Sequence, residues 1–293
     1  MEVRNRTGVR IQLQAVCNTA DPVIKKNAKL SRRYPRVEWG VLLFPPCAVV
    51  GGSPNLAASL HTLREWKGDI FAVNATAKYL SDQGIPHYIY AIDCDPNPWP
   101  IGPMTKGAVF ASRVHRNQMK QFKRAQVRVF DMAEEDNKRG IEGGPTAVCR
   151  APHLFLRMGY RSIYFFGVDG CFSNETHITG TQKVAYDNMV IIRVNGVDYL
   201  SNAAFLLQNQ HMIDLFNKHP QFLINASGGL LRAMQVHQDT WEVVAITEDL
   251  KAQYERGGIK AWNREYVPGE RPIWTPGSSI LGGDKSCQPQ PAI

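Results

Sequence analysis

The chain has 293 residues with 34 Lys+Arg against 26 Asp+Glu, a formal charge of +8 and a pI near 9.2. A hydrophobic fraction of 44% with 10% aromatics is globular composition and excludes a disordered or collagen-like chain. The charge is localised: residues 1–37 carry nine basic and two acidic residues, 106–128 carry seven basic and no acidic ones, and the remainder sums to −6.

The first 40 residues lack a strong period and read as a basic N-terminal extension with short helices. From Cys47 the pattern becomes regular. Cys47 to Val50 is a short apolar run stopped by Gly51-Gly52, and after Pro54 come Leu56, Leu60, Leu63 and Trp66 at helical spacing. Ile70 to Val73 is a second strand, and Thr76 to Asp82 a short helix ended by Gly84. Tyr88 to Ile92 is a third strand, closing on Asp93-Cys94-Asp95 and a proline-rich loop. Val109–Ala111 and Val127–Phe130 are strand candidates separated by a basic helix predicted over Arg113–Ala125. Gly143-Gly144-Pro145-Thr146 opens a helix to about Met158, followed by a strand at Ile163–Phe166 that ends in Gly167-Val168-Asp169.

Val190–Val194 and Val197–Leu200 flank Asn195-Gly196, the pattern of a hairpin with a type I′ turn. Ser201 is the expected cap of a helix to about Lys218, and Phe222–Ile224 is a last core strand before Ser227-Gly228-Gly229. Strands alternating with helices predict an α/β fold: a Rossmann-like, doubly wound, mostly parallel sheet with helices on both faces and a small β-hairpin insertion. The expected organisation is a basic extension at 1–40, a Rossmann-like domain at 41–256 and a Pro/Gly-rich tail at 257–293.

No apolar stretch reaches the roughly 18 residues of a membrane helix. The start Met-Glu-Val-Arg lacks a signal-peptide apolar region. Six scattered cysteines without a CxxC pair give no zinc pattern. The expectation is a reduced, cytoplasmic protein.

In an open parallel sheet, ligands bind beyond the carboxyl ends of the strands, where four of these turns lie. Gly51, Gly52, Ser53 and Asn55 form the first; a glycine turn before a helix can admit a phosphate, or be a tight turn only. Neither a GxGxxG nor a Walker A sequence is present. Asn74 can bond a base or ribose, or cap the next helix. Asp93 and Asp95 form a D-x-D pair able to hold Mg or Mn against a diphosphate, with Asp95 alternatively a turn residue before Pro96. Asp169, with Glu175 and His177 behind it, offers a carboxylate and a general base for a hydroxyl acceptor. His177 reads equally as a surface-loop residue, and His211, His219 and His237 as structural.

The order GGSPNL, VNATAKYL, HYIYAIDCDP, GGPTAVCRAPHLFLRMGYRSIYFFGVDGCF and LINASGGLL resembles the domain shared by bacterial motility accessory factors and the archaeal 6-hydroxymethylpterin diphosphokinase. It is also similar to bacterial sialyltransferases of the lipooligosaccharide type, and related proteins of this size are often phage-encoded. The likeness covers about residues 41–232. It implies a nucleotide-binding transferase in which Gly51, Gly52 and Ser53 lie near phosphate or ribose and Asn74 bonds the nucleotide. Asp93 would sit at the reacting diphosphate, Gly144 and Thr146 would bind base or ribose, and Asp169 would line the acceptor side. The family's first turn usually reads Gly-Pro-Ser, where this chain has Ser53-Pro54-Asn55, so the serine's role passes to Asn55 or is lost.

The leading expectation is a glycosyltransferase with a nucleotide-sugar donor and a hydroxyl acceptor, DNA (a modified base) or glycan. Diphosphoryl transfer from ATP to a pterin-like hydroxymethyl group is the alternative. A non-catalytic nucleic-acid-binding protein, suggested by the two basic stretches, is a third.

Overall fold

The computed structural model describes residues 2–4, 10–12, 20–40, 45–133, 140–144, 146–172, 189–238 and 240–246. In chain order the elements are β1 (Glu2–Arg4), β2 (Arg10–Gln12), α1 (Asp21–Ser31), β3 (Cys47–Val50), a 3-10 turn (Pro54–Ser59) leading into α2 (Leu60–Arg64), β4 (Asp69–Val73), α3 (Thr76–Asp82) and β5 (His87–Ala91). Then follow β6 (Thr105–Ala111), α4 (Arg116–Met119), a second 3-10 turn (Arg124–Gln126), β7 (Val127–Phe130), α5 (Ala147–Met158) and β8 (Ile163–Phe166). The last are β9 (Met189–Val194), β10 (Val197–Asn202), α6 (Ala203–Lys218), β11 (Leu223–Asn225), α7 (Gly229–Val236) and β12 (Trp241–Ile246).

The main sheet has seven strands in the order β11-β8-β3-β4-β5-β6-β7, and every pairing in it is parallel. Successive strands run outward from β3 to β7, whereas β8 returns to the other side of β3. The direction of winding therefore reverses between β3 and β8, the position at which open α/β sheets form their crevice. Parallel strands covered on both faces carry continuous apolar runs, and Cys47–Val50 is buried throughout. On one face Phe155 of α5 stacks on Phe71 of β4 with ring centroids 4.2 Å apart, and Phe216 of α6 packs on Phe165 of β8. On the other face Trp66, just after α2, packs edge-on against Tyr164 and Phe166. Helices thus flank both faces, as the alternating pattern predicted.

The Asn195-Gly196 hairpin forms as expected, with φ of 49° and 79° at its two turn residues. Its β9 also pairs with β12, a strand the sequence reading did not anticipate, to give an antiparallel sheet in the order β10-β9-β12. The helix α7 was likewise unexpected.

Two local expectations are corrected. The basic helix over Arg113–Ala125 is only α4 and a separate 3-10 turn. Lys123 adopts an extended conformation there, and its N–H is taken by Gln126 Oε1 at 3.1 Å. The cap of α6 is Asn202, whose Oδ1 accepts from Phe205 N at 2.8 Å; Ser201 belongs to β10 and donates to Gly170 O. The region 257–293 lies outside the described residues, as do Glu175 and His177.

Candidate functional site

The strand register places the carboxyl-end turns at one level. Val50 pairs with both Ala72 and Phe166, Val73 with Tyr90, and Ala91 with Phe110, so Gly51, Asn74, Asp93, Arg113 and Gly167 all lie just past the same edge of the sheet. Within this row the residues form two clusters of different character.

The first is closed. Asp169 is 2% exposed. Its Oδ2 accepts from Ser53 Oγ and, at 2.6 Å, from Asn55 Nδ2, while Oδ1 accepts from the backbone N–H of Gly228 at 3.1 Å. One carboxylate therefore ties together the turns after β3, β8 and β11. Burial pushes the Asp169 pKa above the usual carboxylate range, against the opposing pull of the three donors. The glycine turn is also committed to the fold: Gly51 N donates to Phe166 O and Ser53 N to Gly167 O. A Cβ on Gly51 would stand 2.4 Å from Gly167 O, so glycine is required here by the approach of two backbones. Of the two readings of this turn, the structure displays the tight packing directly.

The second cluster is open. Asp93 is exposed to solvent at the end of β5, and Asn74 donates to its Oδ2 at 2.7 Å. The Asn74 backbone is left-handed, with φ of 52°, and α3 has no side-chain cap. Asn74 is therefore not a helix cap: the turn aims its amide across to the neighbouring strand end. Surrounding protein raises the Asp93 pKa, with Asn74 and Arg113 drawing it down and Asp95 pushing it up. The carboxylate is thus open to solvent while neighbouring protein partly desolvates it. Arg113, two residues past β6, supplies the cation; its Nε contacts Cys94 Sγ at 3.3 Å.

The amino end of α5 borders this open cluster. Tyr90, penultimate in β5, donates through its hydroxyl to Ala147 O at 3.1 Å. Thr146 caps α5, its Oγ1 accepting from Cys149 N and donating to Gln208 Oε1 at 2.8 Å. Gly144 packs closely against the side chains of Cys149 and His211. Both residues predicted to meet base or ribose thus have internal contacts that orient the helix.

For a divalent cation the fit is confined to Asp93. Asp95 Oδ1 accepts from Asn97 N at 2.8 Å and closes a turn, as its alternative reading proposed. Among the described residues no group of three or more His, Cys, Asp or Glu side chains is placed to hold a metal.

The sequence reading omitted Arg113 and Gly228. Gly228 stands in Ser227-Gly228-Gly229, the same strand-then-glycine signal that marked Gly51, and was legible in principle. Arg113 was absorbed into a helix that does not form.

Residues 24–175 match the family described as 6-hydroxymethylpterin diphosphokinase MptE-like, just over half of the chain and all of the strand ends from β3 to β8. No match was found among curated proteins. Among solved structures, the MAf glycosyltransferase of Magnetospirillum magneticum AMB-1 is similar over 84% of this chain and 45% of its own, with 14% identity and a TM-score of 0.48. This chain therefore spans under half the length of that protein. By the extent of the family match, the chain belongs to the MptE-like family.

Proposed function

We propose that this protein is a transferase that seats a nucleotide donor across the carboxyl ends of β4, β5 and β6 and transfers the activated group to a hydroxyl beside Asp93. The observation that carries this is the exposed Asp93 carboxylate, held by Asn74 from the neighbouring strand end at 2.7 Å and within electrostatic reach of Arg113. The family assignment supports group transfer. A raised pKa brings a carboxylate nearer the range in which it can take a proton at neutral pH. Asp93 removes the proton of the acceptor hydroxyl as its oxygen attacks. The bond from the transferred group to the nucleotide breaks, and Arg113 balances the charge left on the departing phosphates. Asn74 positions the carboxylate. Asp169, with both oxygens engaged, positions the surrounding loops.

The preferred donor remains a nucleotide-sugar. The family's own description favours a second reading on the same residues, ATP-dependent diphosphoryl transfer to a hydroxymethyl heterocycle. If Mg or Mn takes part, Asp93 would be its ligand in place of the base role, and the ion would supply neutralisation of the diphosphate.

Thermal shift separates the donors: stabilisation by CMP, UDP or GDP supports a sugar nucleotide, and by ATP with Mg²⁺ the diphosphokinase reading. A donor at about 100 times its Kd adds about 2.7 kcal/mol. With the active donor, Asp93→Asn is expected to lower turnover by about 10²–10⁴-fold, the usual worth of a general base, while keeping donor stabilisation. Turnover within threefold of the parent would exclude the role assigned to Asp93.

A further inference from the structure

The two basic stretches, far apart in sequence, meet in the fold. The helix α1 lies against α4, fixed by Asn27 Nδ2 donating to Arg113 O at 3.1 Å. The segment after α1 runs along β7, where Arg36 bridges to Val129 and pairs with Asp131. Asn27 and Ser31 form the buried side of α1; Lys25, Lys26, Lys29, Arg32 and Arg33 lie on its exposed side. Arg116, Lys120, Lys123 and Arg124 are exposed on the adjoining segment. Within 20–40 and 105–128 the acids are Asp21 and Glu38 alone, against the nine exposed cations just named; from outside these ranges Asp131, paired with Arg36, and Asp95, beside His115, border them.

That surface reaches the lip of the open cluster. His115, the cap of α4, is acted on electrostatically by Lys26 and Arg116 on one side and by Asp95 on the other. The loop after Asp95 is fastened to the same segment, with Asn117 Nδ2 donating to Pro96 O at 2.9 Å and Gln121 Nε2 to Trp99 O at 3.1 Å.

Among the described aromatic side chains here, Phe122 is half-buried against Phe110 and Tyr34 is half-buried, while Trp39 is exposed with the Arg157 guanidinium over its ring at 4.5 Å. Many cations beside a single exposed ring suit the phosphate backbone of a duplex better than an unstacked single strand. Lys25, Lys26 and Lys29 lie within the last two turns of α1, about 10 Å at 1.5 Å per residue, and Arg32 and Arg33 continue the exposed side beyond its end.

We infer that the α1–α4 surface docks duplex nucleic acid, which brings the acceptor to the Asp93 end of the sheet. The presence of the acceptor on that duplex rests on the transferase reading; the docking itself does not.

The test is fluorescence anisotropy of the full chain with a labelled 20-base-pair DNA duplex between 50 and 300 mM salt. Binding that weakens with salt at a log–log slope of about −4, as for four to five phosphate contacts, is expected. The variant Lys25→Glu, Lys29→Glu, Arg116→Glu, Lys120→Glu is expected to lose at least tenfold affinity at 50 mM salt. Lys218→Glu with Arg232→Glu, exposed on α6 and α7 toward the opposite edge of the sheet, should lose less than threefold. Melting temperatures of the variants control for folding. No duplex binding at 50 mM salt, equal losses in both variants, or binding of an acidic polysaccharide in place of DNA would each overturn the inference. DNA binding without stabilisation by any nucleotide would refute the transferase reading and leave the docking surface standing. Nucleotide stabilisation without DNA binding would do the reverse.

Discussion

Replacing Asp169 by Asn keeps the size of the side chain and removes one acceptor. The carboxylate receives three donors, two on Oδ2 and one on Oδ1. An amide can turn its oxygen toward Ser53 and Asn55 only by facing its own NH₂ to the Gly228 N–H; in the other orientation Ser53 Oγ accepts from that NH₂, but the Asn55 amide faces it donor to donor. The better orientation leaves one donor unsatisfied, at about 1–3 kcal/mol, and exchanges two charge-assisted bonds for neutral ones at about 0.5–1 kcal/mol each. The neutral side chain recovers part of this, because a buried carboxylate bears a desolvation penalty that an amide does not. The net expectation is about 1–3 kcal/mol, or roughly 3–9 °C in Tm at this domain size. Urea and thermal unfolding measure it. Ser53→Ala should cost less in the Asp169→Asn background than alone, since the two residues share a bond and couple. A loss below about 0.5 kcal/mol, or strict additivity with Ser53→Ala, would refute Asp169 as the tie between the three turns.

Gly51→Ala forces a Cβ to within 2.4 Å of Gly167 O. It should cost about 1–3 kcal/mol as overpacking against backbone, and a parent-like Tm would show that the two strand ends can part freely. Gly196→Ala places a side chain in open space at φ of 79°, so its cost is conformational alone, about 1 kcal/mol, seen as a Tm lowered by about 2–4 °C. Burial lowers the pKa of His87, whose Nδ1 meets Ile85 O and whose Nε2 meets Thr105 Oγ1. Below the unfolded pKa of about 6.5 the unfolded chain takes up a proton that the native state resists, so stability falls as pH drops through that value. The lowered pKa values of His153 and His211 act in the same direction. His87→Gln should flatten the decline in Tm between pH 7 and pH 5, and an unchanged slope would place its origin elsewhere.

Most strands were legible because each is a short apolar run closed by Gly, Asn or Asp, and a strand buried on both faces can be little else. The Asn195-Gly196 hairpin was legible because that turn requires two positive φ values. The basic segment misled, because Arg and Lys favour helices by propensity but a short helix forms only where a buried stripe continues, and beyond Met119 it does not. The strand β12 was missed because it depends on a partner, β9, some fifty residues earlier, and local pattern carries no record of such pairing.

The sequence by itself determined the alternation of strands and helices, and with it a parallel sheet whose turns collect at one end, because periodicity and turn chemistry are local properties. Which chemical groups remain available there was decided by the tertiary structure alone. Asp93 and Asp169 look equivalent as strand-end acids. They differ because Asp169 meets three donors brought from separate turns, whereas Asp93 meets one amide, the nearby charge of Arg113, and water. The excess of positive charge followed the same rule: composition supplied it, and the packing of α1 against α4 brought its two stretches together.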